Sequence, residues 1–168
     1  MAVEEKYVSA NLEADKIETA AFSHGDKTVS AVVTFEVAAA DDDGSVYRLL
    51  KNVPAHLIPT KIEIASDAIT GGTDYDLGFY KTTVGGVAGE VIDADKLADG
   101  LDLSSATTFA SPADGLEALD LNEVQKRIYE LAGDTLNDHE LGYDIALTAN
   151  TVGTAAGTIS AKFWFVQA

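Results

Sequence analysis

Three kinds of residue or segment are missing or scarce in this chain, and each absence excludes a class of protein. There is no cysteine, which excludes disulfides and thiolate metal sites. No apolar run reaches about 18 residues, so the sequence predicts no transmembrane helix and no membrane partner. Basic residues number 11 against 28 acidic ones, giving a net charge of −17. Such a surface repels phosphates, so we predict no nucleic-acid binding.

The start of the sequence also lacks the features of a secretory signal. Residues Met1 to Lys6 have neither a basic region nor an apolar run behind it. We therefore expect the protein to be made and assembled in a cytoplasm, in agreement with its lack of cysteine.

The residues that are present predict a β-rich fold. The chain has 168 residues, of which 46% are hydrophobic and 14 are glycine, enough for one domain with a real core. The most distinctive stretch, Leu57–Tyr80, reads as strand, glycine turn and strand. Alternating apolar residues predict further strands at 28–38, 45–50, 143–149 and 158–166. We predict a mainly β protein: an antiparallel β-sandwich or jelly-roll-like barrel with one short α-helix.

The domain is expected to span residues 16–168, preceded by a candidate N-terminal arm at residues 1–15. These first residues mix charges and small side chains without a clear period, so a first short strand or a frayed terminus is the alternative.

One helix is predicted between Leu121 and Ala132. Asp120 is a suitable N-cap with Glu123 three residues later, and Gly133 ends the segment. An apolar stripe follows helical spacing, formed by Leu121, Val124, Ile128 and Leu131. A single helical turn is also predicted at 93–99.

Two loops are singled out by composition. Asp41-Asp42-Asp43-Gly44 is predicted to form a solvated hairpin turn. The glycine-rich segment 82–89 lacks the Lys-Ser/Thr ending of a phosphate-binding loop, so it is interpreted as the tip of a hairpin.

No pattern of catalytic residues stands out, and we predict that the protein is not an enzyme and uses no cofactor. His24, His56 and His139 lie in separate predicted loops, and no G-x-S-x-G motif occurs. Aspartates at 41–43 and at 74 and 76 are interpreted as hydrated turn carboxylates, with a calcium site as the alternative.

The last predicted strand is apolar on both faces. Phe163 and Phe165 face the core, whereas Trp164 and Val166 face the other way and need cover. The helix is the favoured cover and a second subunit the alternative, since tryptophan commonly anchors interfaces. The candidate partner interface comprises Trp164 and Val166, with Tyr7, Val8 and Leu12 from the arm.

Several stretches resemble a family of small virion proteins of tailed bacteriophages. They are Leu57–Tyr80, Val91–Asp93, Leu97–Ala106, Gly115–Gly133 and Tyr143–Gly157. The resemblance implies a structural role, as a head decoration or cement protein that binds the major capsid protein and stabilises the lattice non-covalently. It also implies a homo-oligomer, with a trimer expected and a dimer as the alternative.

The strong negative charge favours the outer surface of the head, away from packaged DNA, with the acidic loops 41–43 and 134–144 turned to solvent. Two other functions stay open. One is a phage tail or neck component. The other is a carbohydrate-binding β-sandwich, with Tyr75, Tyr80 or Trp164 as the stacking platform.

Overall fold

The computed structural model describes residues 5–7, 19–20, 28–136 and 140–167. They form two packed β-sheets and one short helix, as predicted. The strands are β1 (Glu5–Tyr7), β2 (Thr19–Ala20), β3 (Thr28–Val37), β4 (Ser45–Pro54), β5 (Leu57–Ser66), β6 (Asp74–Lys81), β7 (Val91–Leu101), β8 (Ala113–Asp114), β9 (Gly142–Thr151) and β10 (Gly157–Gln167), and helix α1 is Ile128–Leu131. This short helix is not long and apolar enough to cross a membrane.

The strand order is that of a jelly roll. The first sheet runs β1-β4-β9-β6-β7 and the second runs β2-β3-β10-β5-β8. Strand β3 pairs with β10, β4 with β9, β5 with β8 and β6 with β7, all antiparallel. This pairing is that of one long hairpin rolled into two sheets, with the β6–β7 connection at its tip. The sandwich predicted from the strand periods is confirmed.

The core lies between the sheets because one face of each strand is apolar. In β10, the inward residues Ile159, Ala161, Phe163 and Phe165 are buried. In β9, a central strand of the first sheet, every position from Gly142 to Ala149 is buried. Residues of both sheets and of α1 belong to one hydrophobic cluster.

Two predicted turns connect the sheets rather than pairing the strands beside them. The Asp41–Gly44 turn joins β3 in the second sheet to β4 in the first, so it is not a hairpin. In the stretch Leu57–Tyr80, β5 and β6 likewise lie in different sheets. Gly71 in this connection has φ +79°, the left-handed conformation that glycine adopts without steric cost. Crossing between sheets is what rolls the long hairpin into a sandwich.

The predicted helix is much shorter than its apolar stripe suggested. Residues 121–125 form turns, and Leu121 is 94% exposed. Glu123 accepts hydrogen bonds from Lys96 Nζ at 2.8 Å and Lys126 Nζ at 3.2 Å. The Lys96 ammonium, with Lys126, holds the pKa of Glu123 below its usual value. The carboxylate that was expected to cap the helix is therefore occupied by ion pairs.

Helix α1 has a cap of its own. Glu130 Oε2 accepts a hydrogen bond from the backbone N–H of Arg127 at 2.9 Å. The helical turn predicted at 93–99 is also wrong, because this segment belongs to β7. Pairing with β6 satisfies its backbone and overrides the local capping signal.

The N-terminal residues that the structure describes are attached to the sandwich. Glu5–Tyr7 pairs in parallel with Val46–Arg48, so this part of the predicted arm is a short edge strand. Val8 and Leu12 lie outside the described residues.

The core assignment makes a direct prediction for stability. Phe163→Ala should lower the free energy of unfolding by about 3–5 kcal/mol, because it leaves a cavity between the sheets. Val32→Ala, on the opposite face of the adjacent strand β3, should change it by about 0.5 kcal/mol or less. Urea denaturation measures both; equal losses for the two variants would contradict the assigned faces.

Candidate interaction surface

The outer face of the second sheet presents apolar side chains that the described chain covers only in part. We define this outer face by the outward residues of three adjacent strands. They are Ser30, Val32, Thr34 and Glu36 of β3, Ser160, Lys162, Trp164 and Val166 of β10, and Ile58, Lys61 and Glu63 of β5. Val32 is 61% exposed, and Trp164, Val166 and Ile58 are half-buried. The two interface residues predicted on β10 thus lie on the central of the three strands that form this surface.

Trp164 sits at the centre of the outer face. It pairs with Ser30 on one side and Lys61 on the other. Lys61 Nζ lies 5.3 Å from the centroid of the indole ring, within range of a cation–π contact. The same ammonium lies 2.5 Å from Glu63 Oε1, so its charge is balanced on the surface.

A second cation–π contact borders the outer face. Lys162 Nζ lies 3.7 Å from the centroid of the Phe109 ring, which belongs to the loop between β7 and β8. This loop also contacts the edge of β5, where Ser66 N donates to Thr107 Oγ1 at 2.9 Å. It therefore covers one side of the outer face and leaves Trp164 partly exposed.

The outer face is electrically neutral although the chain carries −17. Its lysines, Lys61 and Lys162, are matched by two carboxylates, Glu36 and Glu63. A second protein can approach here without meeting net negative charge.

The helix does not cover this face, contrary to expectation. Its residues Ile128, Tyr129 and Leu131 are buried in the main core. The backbone N–H of Tyr129 donates to Ala55 O at 3.1 Å, which fixes α1 beside the β4–β5 connection. Contact of Trp164 and Val166 with a second subunit stays a prediction.

The first sheet differs because its outer side is buried too. Arg48 and Asp144 point to this side, and the side chains of both are 0% exposed. Arg48 Nη1 lies 3.5 Å from Asp144 Oδ2, and the guanidinium lies 4.3 Å from the centroid of the Tyr80 ring. Val46, Tyr80 and Ala146 form a small second apolar cluster there.

Further hydrogen bonds attach this pair to the segment that joins β6 and β7. Arg48 Nη2 donates to Gly89 O at 2.5 Å and Nη1 to Lys81 O at 3.3 Å. Asp144 Oδ2 accepts from Thr83 N at 3.2 Å and from Thr83 Oγ1 at 3.0 Å, and Oδ1 accepts from Asn52 N at 2.8 Å. One buried ion pair thus fixes both ends of the β6–β7 connection. No local pattern in the sequence predicts this pair, because its partners are 96 residues apart.

The acidic loops are less hydrated than predicted. Asp41 is buried and its Oδ2 accepts hydrogen bonds from Tyr47 Oη at 2.8 Å and Ala38 N at 3.0 Å. Asp43 is exposed, yet its Oδ1 accepts from Val152 N at 3.0 Å. The expectation that residues 41–43 and 134–144 turn wholly to solvent is therefore wrong at Asp41 and Asp144.

The aspartates considered for calcium are used in the same way. Asp76 Oδ1 accepts from Gly100 N at 2.9 Å, and Oδ2 accepts from Asn150 Nδ2 at 2.5 Å. In the described part of the chain, no group of three or more His, Cys, Asp or Glu side chains could hold a metal ion. These carboxylates connect strands and turns to one another.

Two of the three aromatic platforms considered for sugar binding are inaccessible. Tyr75 is buried with its Oη donating to Val152 O at 2.8 Å, and Tyr80 is buried against Arg48. Burial, together with the Asp41 and Asp43 carboxylates, raises the pKa of Tyr75 well above its ordinary value. Of the three, Trp164 is accessible to a ligand.

Comparison with known proteins supports the fold. No protein-family model matches the chain, and no curated protein matches it. A chain in the solved structure of the capsid of Ralstonia phage GP4 is similar, with a TM-score of 0.55 and 13% identity over 90% of this chain and 91% of that one. A chain of the cyanophage Pam1 capsid asymmetric unit has a TM-score of 0.46 and 16% identity, over 95% of this chain and all of that one. At this identity, the similarity to the GP4 chain shows a shared fold.

The buried ion pair can be tested by removing its cation. Arg48→Met should lower the free energy of unfolding by about 3–5 kcal/mol, because it leaves the Asp144 carboxylate buried without its counter-ion. Lys81→Met is the matched control: its pair with Glu90 is exposed, at 3.5 Å, and should contribute about 1 kcal/mol or less. Denaturant titrations with equal midpoints for both variants would contradict the role assigned to Arg48.

Proposed function

We propose that this chain is a structural protein of a tailed-phage head, bound to the outer surface of the assembled capsid as a decoration protein. In this role it acts without catalysis or cofactor. Copies associate through the outer face of the second sheet, as a trimer with a dimer as the alternative, and each copy also contacts the major capsid protein.

The observation that carries this proposal is the neutral, partly apolar outer face on an otherwise strongly acidic jelly roll. Copies carrying −17 repel one another, so association needs a surface where apolar area can be buried without bringing carboxylates together. Trp164, Val166 and Val32 supply that area, and the two lysines of the outer face are balanced in number by two glutamates. The fold shared with a chain of the GP4 capsid and the resemblance to phage virion proteins support a location in the virion.

In this role the protein would stabilise the head because its binding is linked to the closed state of the lattice. A protein that binds the closed lattice but not its separated subunits favours the closed state, because opening must first break those contacts. A standard interface buries about 800 Å² on each partner. Repeated over many copies, even weak contacts would raise the temperature at which the head opens.

The alternative is a tail or neck component, which would use the same surfaces to bind a different part of the phage. Finding the protein on isolated heads or on isolated tails distinguishes the two functions. A carbohydrate-binding role is less well supported, because Tyr75 and Tyr80 are buried and Lys61 lies over Trp164.

Association through the outer face is tested by adding charge to it. Val32→Asp places a carboxylate on this face at an exposed site, so the fold should be retained while the oligomer dissociates to monomer. Leu121→Asp, also exposed but outside the face, is the control and should keep the wild-type mass. Light scattering after size exclusion gives the mass. A monomeric wild type, or an oligomer unaffected by Val32→Asp, would refute this contact.

Location is tested by labelling lysines in intact heads with a membrane-impermeant amine reagent. Lys51 and Lys126 should be labelled, whereas Lys61 and Lys162 should be protected by contact between copies. Free protein monomerised by Val32→Asp is the control, in which Lys61 and Lys162 should react as well. If every lysine is protected until the heads are opened, the protein lies inside and the proposed location is wrong.

A further inference from the structure

The segment 82–89 that joins β6 and β7 forms an apolar hairpin tip. Val84 and Val87 pair with each other, with backbone N–H···O bonds of 3.1 and 3.0 Å in the two directions. Between them, Gly85 and Gly86 have φ +61° and +81°. Positive φ at both central residues is typical of the tight hairpin turns whose twist matches that of the flanking strands.

The side chains at this tip face solvent. Val84 and Val87 are 73% and 72% exposed, and Val91 at the start of β7 is exposed too. None of the eight residues from Thr82 to Gly89 is charged, although 23% of the chain is. Single exposed valines are common, but two at the tip of one uncharged projection, with Val91 near its base, form an apolar contact element.

The base of the hairpin tip is held unusually firmly for an exposed loop. The buried Arg48 guanidinium donates hydrogen bonds to Lys81 O and Gly89 O, on opposite sides of the base. The Asp144 carboxylate accepts hydrogen bonds from the backbone N–H and the hydroxyl of Thr83. At the same base, Lys81 Nζ and Glu90 Oε2 lie 3.5 Å apart and cancel in charge. A projection held in one position loses little conformational entropy when it is bound.

We infer that the hairpin tip is an attachment element that inserts Val84 and Val87 into an apolar pocket of a different protein. This rests on the proposed function, in which that protein is a capsid subunit. A second copy is the disfavoured occupant because it also carries −17. The outer face has Lys61 and Lys162 to place opposite carboxylates of a second copy, whereas residues 82–89 carry no positive charge to offset the repulsion. The hairpin belongs to the first sheet and its base contacts the outer side of that sheet. The tip and the outer face of the second sheet therefore serve two different partners.

The test measures binding of purified protein to heads prepared from phage that lack its gene. Val84→Thr/Val87→Thr keeps side-chain shape and β-branching but places two hydroxyls in the apolar pocket. We expect the apparent Kd for heads to rise by roughly tenfold or more. Val124→Thr, a partly exposed valine elsewhere, is the matched control and should bind like wild type.

Two further readouts separate the possible outcomes. Oligomer mass and melting temperature should be unchanged in Val84→Thr/Val87→Thr, since neither valine lies in the core or on the outer face. If wild type binds heads and the variant binds equally well, or if the variant loses its oligomer in parallel with binding, the hairpin tip is not the attachment element. If wild type fails to bind heads, the proposed function itself is overturned. The assignment of the hairpin tip as a contact with the head is then overturned too.

Discussion

Burial of Arg48 and Asp144 on the outer side of the first sheet constrains the rest of the structure. Two charges removed from water must be satisfied by the protein, and here the required hydrogen bonds come from backbone groups of the β6–β7 connection and of Asn52. The pair can therefore be buried only if that connection lies across the sheet in one position. The need to satisfy two buried charges therefore constrains the position of the β6–β7 connection.

That constraint has a consequence for the hairpin's sequence. Because the base is fixed by groups outside the loop, the tip does not need large side chains of its own to hold its shape. Gly85 and Gly86 supply the tight turn, and the valines beside them are free to face outward. A buried ion pair usually adds little net stability, so its benefit here lies in the single conformation that it imposes.

Local patterns in the sequence predicted the long strands other than β7, because the period-2 alternation in segments such as Thr28–Val37 depends only on which face is buried. Partners distant in sequence were not predictable from such patterns. Neither the crossing of Asp41–Gly44 between sheets nor the contact of Arg48 with Asp144 leaves a local signal. The helix failed for a related reason: Glu123 bonds to Lys96, 27 residues away, instead of capping. For the candidate interaction surface, the alternation in β10 predicted that Trp164 lies on the side away from the core. The prediction that the helix covers this side was wrong, because the helix residues are buried in the main core.

Charge then separates the surfaces that can make contacts from those that cannot. A chain with −17 distributed evenly would resist every close approach, because salt screens the repulsion between exposed charges fully only at separations well beyond about 10 Å. Contact is therefore easiest where charges are paired or absent, as on the outer face of the second sheet and at the hairpin tip. These two neutral regions are carried by different sheets, so a jelly roll can use one for its own copies and the other for a different protein. In the proposed assembly, the remaining carboxylates would oppose any further association and so would limit the contacts to these two regions.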